Sequence, residues 1–190
     1  HEFQHMIHWW IDAGHDEETW INEGCACLAQ YLCGYGIKRS HLVSENPANP
    51  GFLEEPDHQL TLTGAAWESA TNHILASYGA SFMWTLYFWE HYGGDEAIRR
   101  LVAEPANGIQ GVDNTLAALG SGDRFRQLFR RWVTANYLGE REGPFGYRSL
   151  QLVTSGYNGT TTFPRPRPAE THLSYTVNWG SGTVNYWAGS

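Results

Sequence analysis

The feature that most constrains the fold is a pair of histidines, His1 and His5, spaced four residues apart, with Glu2 directly after the first. On an α-helix, side chains four residues apart lie on the same face. Apolar residues recur at helical spacing through this segment, so the sequence predicts a helix over residues 1–12. Both imidazoles would then point the same way, as two ligands of one metal ion must.

A third candidate ligand, Glu23, follows 18 positions after His5. It lies in a second predicted helix over residues 17–35, and an antiparallel return would bring its carboxylate to both imidazoles. Zinc accepts nitrogen and oxygen ligands and keeps an open position for water when only three protein ligands are present. The pattern therefore predicts a zinc (Zn²⁺) site with His1, His5 and Glu23 as ligands. Glu2 would stand beside the water, where it could act as general base.

Beyond these two helices, the sequence predicts further helices joined by turns. Residues 37–63 contain two Asn-Pro pairs and a Glu-Pro pair and predict a long irregular connection. Residues 65–91 predict a long helix with dense aromatic side chains and a break near residues 77–79. Three shorter helices are predicted over residues 95–103, 114–119 and 123–138. The sequence therefore predicts a mainly α fold for residues 1–145.

The composition changes after residue 145. Residues 146–168 end in alternating prolines, which oppose both helix and central strand, and they predict an extended linker. Residues 169–190 alternate apolar and polar side chains on either side of a Gly-Ser-Gly turn, which is typical of a β-hairpin. We therefore expect a mainly α unit, a linker, and then the start of a C-terminal β-strand module.

Charge and composition exclude several classes of partner. The formal net charge is −8, and basic residues cluster only in residues 124–131, so no nucleic-acid partner is predicted. No apolar run reaches the 18 residues or more of a membrane span. The many Trp, Tyr and Gly residues and the sequon at residues 158–160 favour a secreted or cell-surface protein. A helix that begins on a functional ligand would fray there, so we expect a fragment of a longer protein.

The chain resembles the gluzincin zinc metallopeptidases, most closely the hyicolysin-like branch and more distantly the thermolysin-like enzymes. The matching text is His-Glu-Phe-Gln-His-Met-Ile at residues 1–7, Trp-Ile-Asn-Glu-Gly at 20–24, and the aromatic segments 78–82 and 87–90. The resemblance spans about residues 1–140. It implies the helical catalytic subdomain of a zincin-type α+β peptidase, zinc as cofactor, and a protein or peptide substrate whose peptide bonds are hydrolysed.

The resemblance also implies further site residues. Family members use a Tyr or His of the helical subdomain to stabilise the oxyanion, and Tyr78 and His73 are the candidates here. Thermolysin-like enzymes carry an Asp four residues after the ligand Glu, where it orients a ligand histidine, but this chain has Cys27 there. Either another carboxylate does that work or the metal is held differently. We interpret Cys27 as a packing residue.

Other interpretations compete with this one. The metzincin pattern requires a third histidine at position 11, which is Ile11, and His8 is the nearest other histidine. Gluzincins also place a β-sheet before the zinc helix, and the edge strand of that sheet binds the substrate, but the sequence contains none of it before His1. The alternative function is therefore a non-catalytic peptidase-like module of a larger secreted, surface or filament-forming protein. Such a module would assemble into a larger surface structure.

Overall fold

The computed structural model describes residues 1–14, 16–69 and 73–166. Its α-helices are α1 (Glu2–Ile11), α2 (Thr19–Gln30), α3 (Arg39–Leu42), α4 (Gly64–Glu68), α5 (Ile74–Tyr92), α6 (Asp95–Val102), α7 (Gly108–Ala118) and α8 (Phe125–Leu138). A π-helical turn, Tyr31–Tyr35, extends α2, and a two-stranded parallel sheet is formed by β1 (Gln151–Val153) and β2 (Thr162–Pro164). The predicted mainly α fold is confirmed for these residues, and no helix among them is long and apolar enough to cross a membrane.

The core forms around α5, which is buried along most of its length and packs against α2, α3, α6 and α8. Trp20 of α2 meets Trp84 of α5 edge to face at a ring distance of 4.9 Å, and it meets Phe125 of α8 at 5.7 Å. All three side chains are buried. Because each buried aromatic side chain contributes about 1.5–3 kcal/mol, this cluster fixes α2 firmly on the central helix.

Two glycines allow α5 to approach its neighbours closely. A Cβ added at Gly24 of α2 would lie 2.2 Å from the Thr85 hydroxyl oxygen of α5, and one added at Gly79 of α5 would lie 2.0 Å from the carbonyl oxygen of His41. The sequence predicted a helix break near residues 77–79, and that prediction is wrong, because α5 runs through Gly79 without interruption. Helical backbone instead ends at Glu68 in α4 and begins again at Ile74 in α5.

Residues 146–166 differ from the predicted linker because they pack against the helical unit. Tyr147, Leu150, Leu152 and Phe163 are buried in the main core. Leu152 of β1 pairs with Phe163 of β2, and Pro164 is the last paired residue of β2. In the described two-stranded sheet β2 is an edge strand, where a proline is tolerated. The remainder of the predicted linker and the β module predicted over residues 169–190 lie outside the described residues.

Helix α1 presents an apolar face that the described residues leave uncovered. Trp10 is 78% exposed and Phe3 is 71% exposed, and Met6 and Trp9 are exposed beside them. The opposite side of α1 holds His8, which is buried. A contiguous apolar surface of this kind is typical of a contact surface with other protein.

We expect Gly24→Ala to lower the free energy of unfolding by about 1–3 kcal/mol, because the new methyl group would force α2 and α5 apart. Urea denaturation followed by circular dichroism measures this change. Gly122→Ala is the matched control: its added Cβ meets nothing within 4 Å, so its effect should stay within about 0.5 kcal/mol. Equal stabilities of the two variants would contradict the close helix contact.

Candidate metal centre

Helices α1 and α2 run antiparallel and meet through the side chains of the predicted site. His1, at the start of α1, contacts Cys27 late in α2, whereas His5, one turn further along α1, contacts Asn22 early in α2. The order of the contacts reverses between the two helices, as an antiparallel pair requires. Glu23 lies between the two contacts, so its carboxylate meets both imidazoles.

The structure brings together the three predicted metal ligands. The Nε2 atoms of His1 and His5 lie 3.1 Å and 3.5 Å from the same Glu23 atom, Oε2. One candidate ligand atom from each residue lies within 4.8 Å of the other two. Within residues 1–14, 16–69 and 73–166, this is the only group of three or more His, Cys, Asp or Glu side chains close enough to hold one metal ion.

The spacing of these atoms fits a divalent metal ion. Zinc bonds to nitrogen and oxygen are about 2.0–2.1 Å long, so two ligands of a tetrahedral site lie about 3.4 Å apart. The two measured separations from Glu23 Oε2, 3.1 Å and 3.5 Å, bracket that value. Oε2 is also buried and receives no hydrogen bond, which is costly for a carboxylate oxygen unless a cation neutralises it.

The outward ring nitrogens of both histidines are held by side chains of α2. His5 Nδ1 lies 2.9 Å from the Asn22 amide oxygen, and His1 Nδ1 lies 3.9 Å from the Cys27 sulfur. An Nδ1–H that donates outward leaves Nε2 with its lone pair directed at Glu23, as metal binding requires. The sequence leaves open whether another carboxylate orients a ligand histidine, and in the structure the partner of each ring is an amide or a thiol. Asn22 directly precedes Glu23 in the sequence, but the sequence alone did not indicate that Asn22 contacts His5.

The electrostatics of the cluster favour positive charge. The Glu23 carboxylate beside the ring raises the pKa of His5, although burial partly opposes this effect. Burial raises the pKa of the Cys27 thiol to about 12, so Cys27 is a neutral partner for His1. His8, the other histidine of α1, is buried, and burial lowers its pKa. His8 is not part of the three-residue cluster.

The predicted catalytic residues lie in different places. Glu2 is exposed at the first residue of α1, directly after His1 in the chain, and its negative charge makes a small contribution to the raised pKa of His5. The Tyr78 hydroxyl donates a hydrogen bond of 3.4 Å to Glu23 Oε1, and burial raises the pKa of Tyr78 to about 12. His73 lies at the start of α5 and pairs with Glu55, and it is not part of the three-residue cluster.

Tyr78 is held by two aromatic neighbours that sequence reasoning missed. The His41 ring stacks on the Tyr78 ring at 4.6 Å and 20°, and Trp67 packs edge to face against it at 5.3 Å. Burial lowers the pKa of His41 to about 4, so this ring is neutral near neutral pH. His41 belongs to the segment predicted to be an irregular connection, where no periodic pattern indicates which side chains turn inward. His41 and Trp67 together form a clamp on the Tyr78 ring, whose hydroxyl group points toward Glu23.

Glu17, which precedes α2, is a buried carboxyl group that contacts α7. Its Oε1 atom accepts hydrogen bonds from the backbone N–H of Gly108, at the first turn of α7, and of Glu18. The carboxyl group is buried, and this burial raises its pKa to about 7, with the negative charges of Glu18 and Asp12 acting in the same direction. Glu17 thus ties the start of α2 to the N-terminus of α7.

No protein-family profile matches this chain, and no curated protein does. The geometry of the three-ligand cluster is therefore what supports a functional proposal. The side chains of His1, His5 and Glu23 are 22%, 24% and 16% exposed, so solvent reaches the cluster. A metal ion held by three protein ligands in such a place would keep one position open, as catalytic sites do and closed structural sites do not.

We expect Glu17→Gln to gain stability relative to the wild-type protein as the pH rises from 5 to 8. The folded-state pKa of Glu17, about 7, lies above its ordinary value of 4.5. The wild type therefore has the full contribution of protonated Glu17 below about pH 4.5 and loses it as the pH rises through 7. Glutamine keeps the acceptor oxygen but cannot ionise. Urea denaturation of both proteins at each pH measures the difference, and a difference independent of pH would contradict the burial of this carboxyl group.

Proposed function

We propose that this protein is a zinc-dependent endopeptidase, with His1, His5 and Glu23 as the zinc ligands and Glu2 as general base. The observation that supports this most strongly is the cluster of two Nε2 atoms around a buried Glu23 oxygen that has no hydrogen-bond donor. The solvent-accessible setting and the Tyr78 hydroxyl beside the same carboxylate favour a catalytic site over a structural one. The helices would then form the helical subdomain of a zincin-type α+β peptidase.

The choice of zinc rests on the donor set. Imidazole nitrogen suits zinc, copper, iron and nickel, whereas sites for calcium and magnesium are built from oxygen ligands. Two imidazoles and one carboxylate with an open position form a donor set typical of catalytic zinc. Bound there, zinc would polarise the substrate carbonyl and lower the pKa of a water molecule to about 7.

Residues of the chain supply the proton transfers. Glu2 is exposed at the start of α1 and directly follows the ligand His1 in the chain, so its carboxylate is the candidate to take a proton from the attacking water. It then delivers that proton to the amine that leaves as the peptide bond breaks. Its exposed position keeps it free to reach both the water and the substrate nitrogen.

Tyr78 would stabilise the oxyanion that forms on the substrate carbonyl. Its hydroxyl keeps its proton at neutral pH, because its pKa is raised to about 12, and it is therefore a hydrogen-bond donor. The contact of 3.4 Å with Glu23 is long for an O–H···O hydrogen bond, so exchanging it for a substrate oxygen costs little. The clamp formed by His41 and Trp67 holds the ring in place during that exchange.

The second candidate function is a non-catalytic peptidase-like module of a larger secreted or cell-surface protein. The exposed apolar face of α1 favours it, because Phe3, Met6 and Trp10 form a surface suited to contact with other protein. Such a module could keep the metal cluster without turnover. Zinc content and cleavage, measured together, separate the two functions.

We expect Glu23→Ala to lose both bound zinc and the cleavage of casein, because it removes the one ligand atom that faces both imidazoles. We expect Glu2→Gln to retain stoichiometric zinc and to lose cleavage by at least about 100-fold, because only the proton acceptor is removed. Elemental analysis and a casein assay on the same samples provide both readouts. Glu142→Gln, at an exposed glutamate outside the cluster, is the matched control and should behave as wild type.

Three results would count against the peptidase. Wild-type protein without zinc would refute the metal centre, and zinc with no casein cleavage would support the structural module. Cleavage that persists in Glu2→Gln at the wild-type rate would remove Glu2 from the mechanism. In each case the Glu142→Gln control shows whether the loss of a surface carboxylate alone has an effect.

We expect Tyr78→Phe to lower kcat by roughly 100-fold while zinc content stays unchanged, because the substitution removes the oxyanion donor and keeps the ring between His41 and Trp67. Steady-state kinetics on a fluorogenic peptide measure the effect. Tyr157→Phe, at a half-exposed tyrosine outside the site, is the control and should leave kcat unchanged. A Tyr78→Phe enzyme with wild-type kcat would leave Tyr78 as a purely structural residue.

A further inference from the structure

The face of α2 that meets α1 carries a buried thiol in contact with a metal-ligand histidine. Glu23 and Cys27 are four residues apart, so their side chains lie one turn apart on the same face of α2. The Cys27 sulfur lies 3.9 Å from His1 Nδ1, on the side of the ring opposite to the Nε2 atom that faces Glu23. Cys27 is only 8% exposed, so water does not compete freely for this contact.

A histidine that binds a metal through Nε2 almost always donates its Nδ1–H to an acceptor, and losing that acceptor weakens metal binding. A neutral ring carries its proton on either nitrogen, and only the form protonated on Nδ1 leaves Nε2 with a free lone pair. A hydrogen-bond acceptor beside Nδ1 stabilises that form and also stops the ring from turning over. For His5 this acceptor is the Asn22 amide oxygen at 2.9 Å. For His1, the group in that place is the Cys27 sulfur.

We propose that Cys27 is a positioning residue of the metal centre, whose sulfur accepts the hydrogen bond from His1 Nδ1–H and so directs His1 Nε2 toward the metal. This inference rests on the proposed role of His1 as a zinc ligand. It assigns to Cys27 a function beyond helix packing and explains how the site orients both histidines without a carboxylate. A thiol is a weaker acceptor than a carboxylate, so it holds His1 less rigidly than a carboxylate would.

The neighbouring Cys25 provides an internal comparison. Both cysteines are buried on α2, and truncating either to alanine removes one sulfur atom from the interior. Their surroundings differ, because the negative charge that acts on the Cys25 thiol is that of Glu17, whereas the one that acts on the Cys27 thiol is that of Glu23. A loss of packing alone would therefore affect both variants, and a loss of His1 positioning would affect only Cys27→Ala.

The first test is zinc affinity, measured by competition with a chromophoric chelator. We expect Cys27→Ala to raise the zinc Kd by roughly 10-fold, the usual effect of removing a group that orients a metal-ligand histidine. Cys25→Ala should leave the Kd unchanged within about twofold. Cys27→Ser keeps a hydrogen-bonding group at the same position and should restore most of the affinity, and it also serves if Cys27→Ala does not fold.

The second test uses metal-free protein, so it is independent of zinc binding and of activity. Long-range ¹H–¹⁵N spectra of the His1 ring distinguish the two neutral forms. We expect the form protonated on Nδ1 to dominate in the wild type, Cys25→Ala and Cys27→Ser, and the other form to become substantial in Cys27→Ala.

The outcomes separate the inference from the proposed function. Wild-type protein that binds zinc, together with equal zinc Kd values and equal His1 spectra for Cys27→Ala and Cys25→Ala, would overturn the role of Cys27 and leave the metal centre intact. Wild-type protein that binds no zinc would overturn the proposed function. In that event the spectra of metal-free protein still decide whether Cys27 sets the form of the His1 ring.

Discussion

The structure depends on one contact between two helices, the meeting of His1 and His5 of α1 with the buried Oε2 atom of Glu23 in α2. Two imidazole nitrogens face one carboxylate oxygen there, and the negative charge of that carboxylate favours positive charge among the three atoms. The rest of the fold supplies what keeps these atoms in place. Asn22 and Cys27 hold the outward ring nitrogens, and both belong to the helix that carries Glu23.

The central helix α5 supports this contact from the other side. Helix α5 approaches α2 closely at Gly24, the residue after Glu23, and this contact fixes the position of Glu23. Helix α5 also approaches α3 closely at Gly79, which brings His41 against Tyr78. Core packing and the site are therefore linked, because Gly24, which follows the candidate ligand Glu23, is also the residue at which α2 packs closely against α5. Glu23 Oε2 is buried without a hydrogen-bond partner, so a less rigid pair of helices would move apart and expose it to water.

The sequence predicted the parts of the site that follow from helix geometry alone, namely a pair at four-residue spacing and a ligand on the returning helix. It did not predict the contacts set by packing. The sequence predicts a helix break near Gly79, but α5 continues through this residue. The glycine instead allows the backbone of His41 to pack closely against α5. Residues 162–164 were interpreted as part of a linker because of their proline, but an edge position tolerates Pro164 while Phe163 fills the core.

The most direct test of the metal centre is X-ray absorption at the zinc edge of the zinc-loaded protein. The proposed site predicts two imidazole ligands, from His1 and His5, and oxygen ligands that include Glu23, all at about 2.0–2.1 Å, with no sulfur. This pattern would place Cys27 behind His1 and outside the set of ligands. A zinc–sulfur distance of about 2.3 Å, or a spectrum without two imidazoles, would contradict the account.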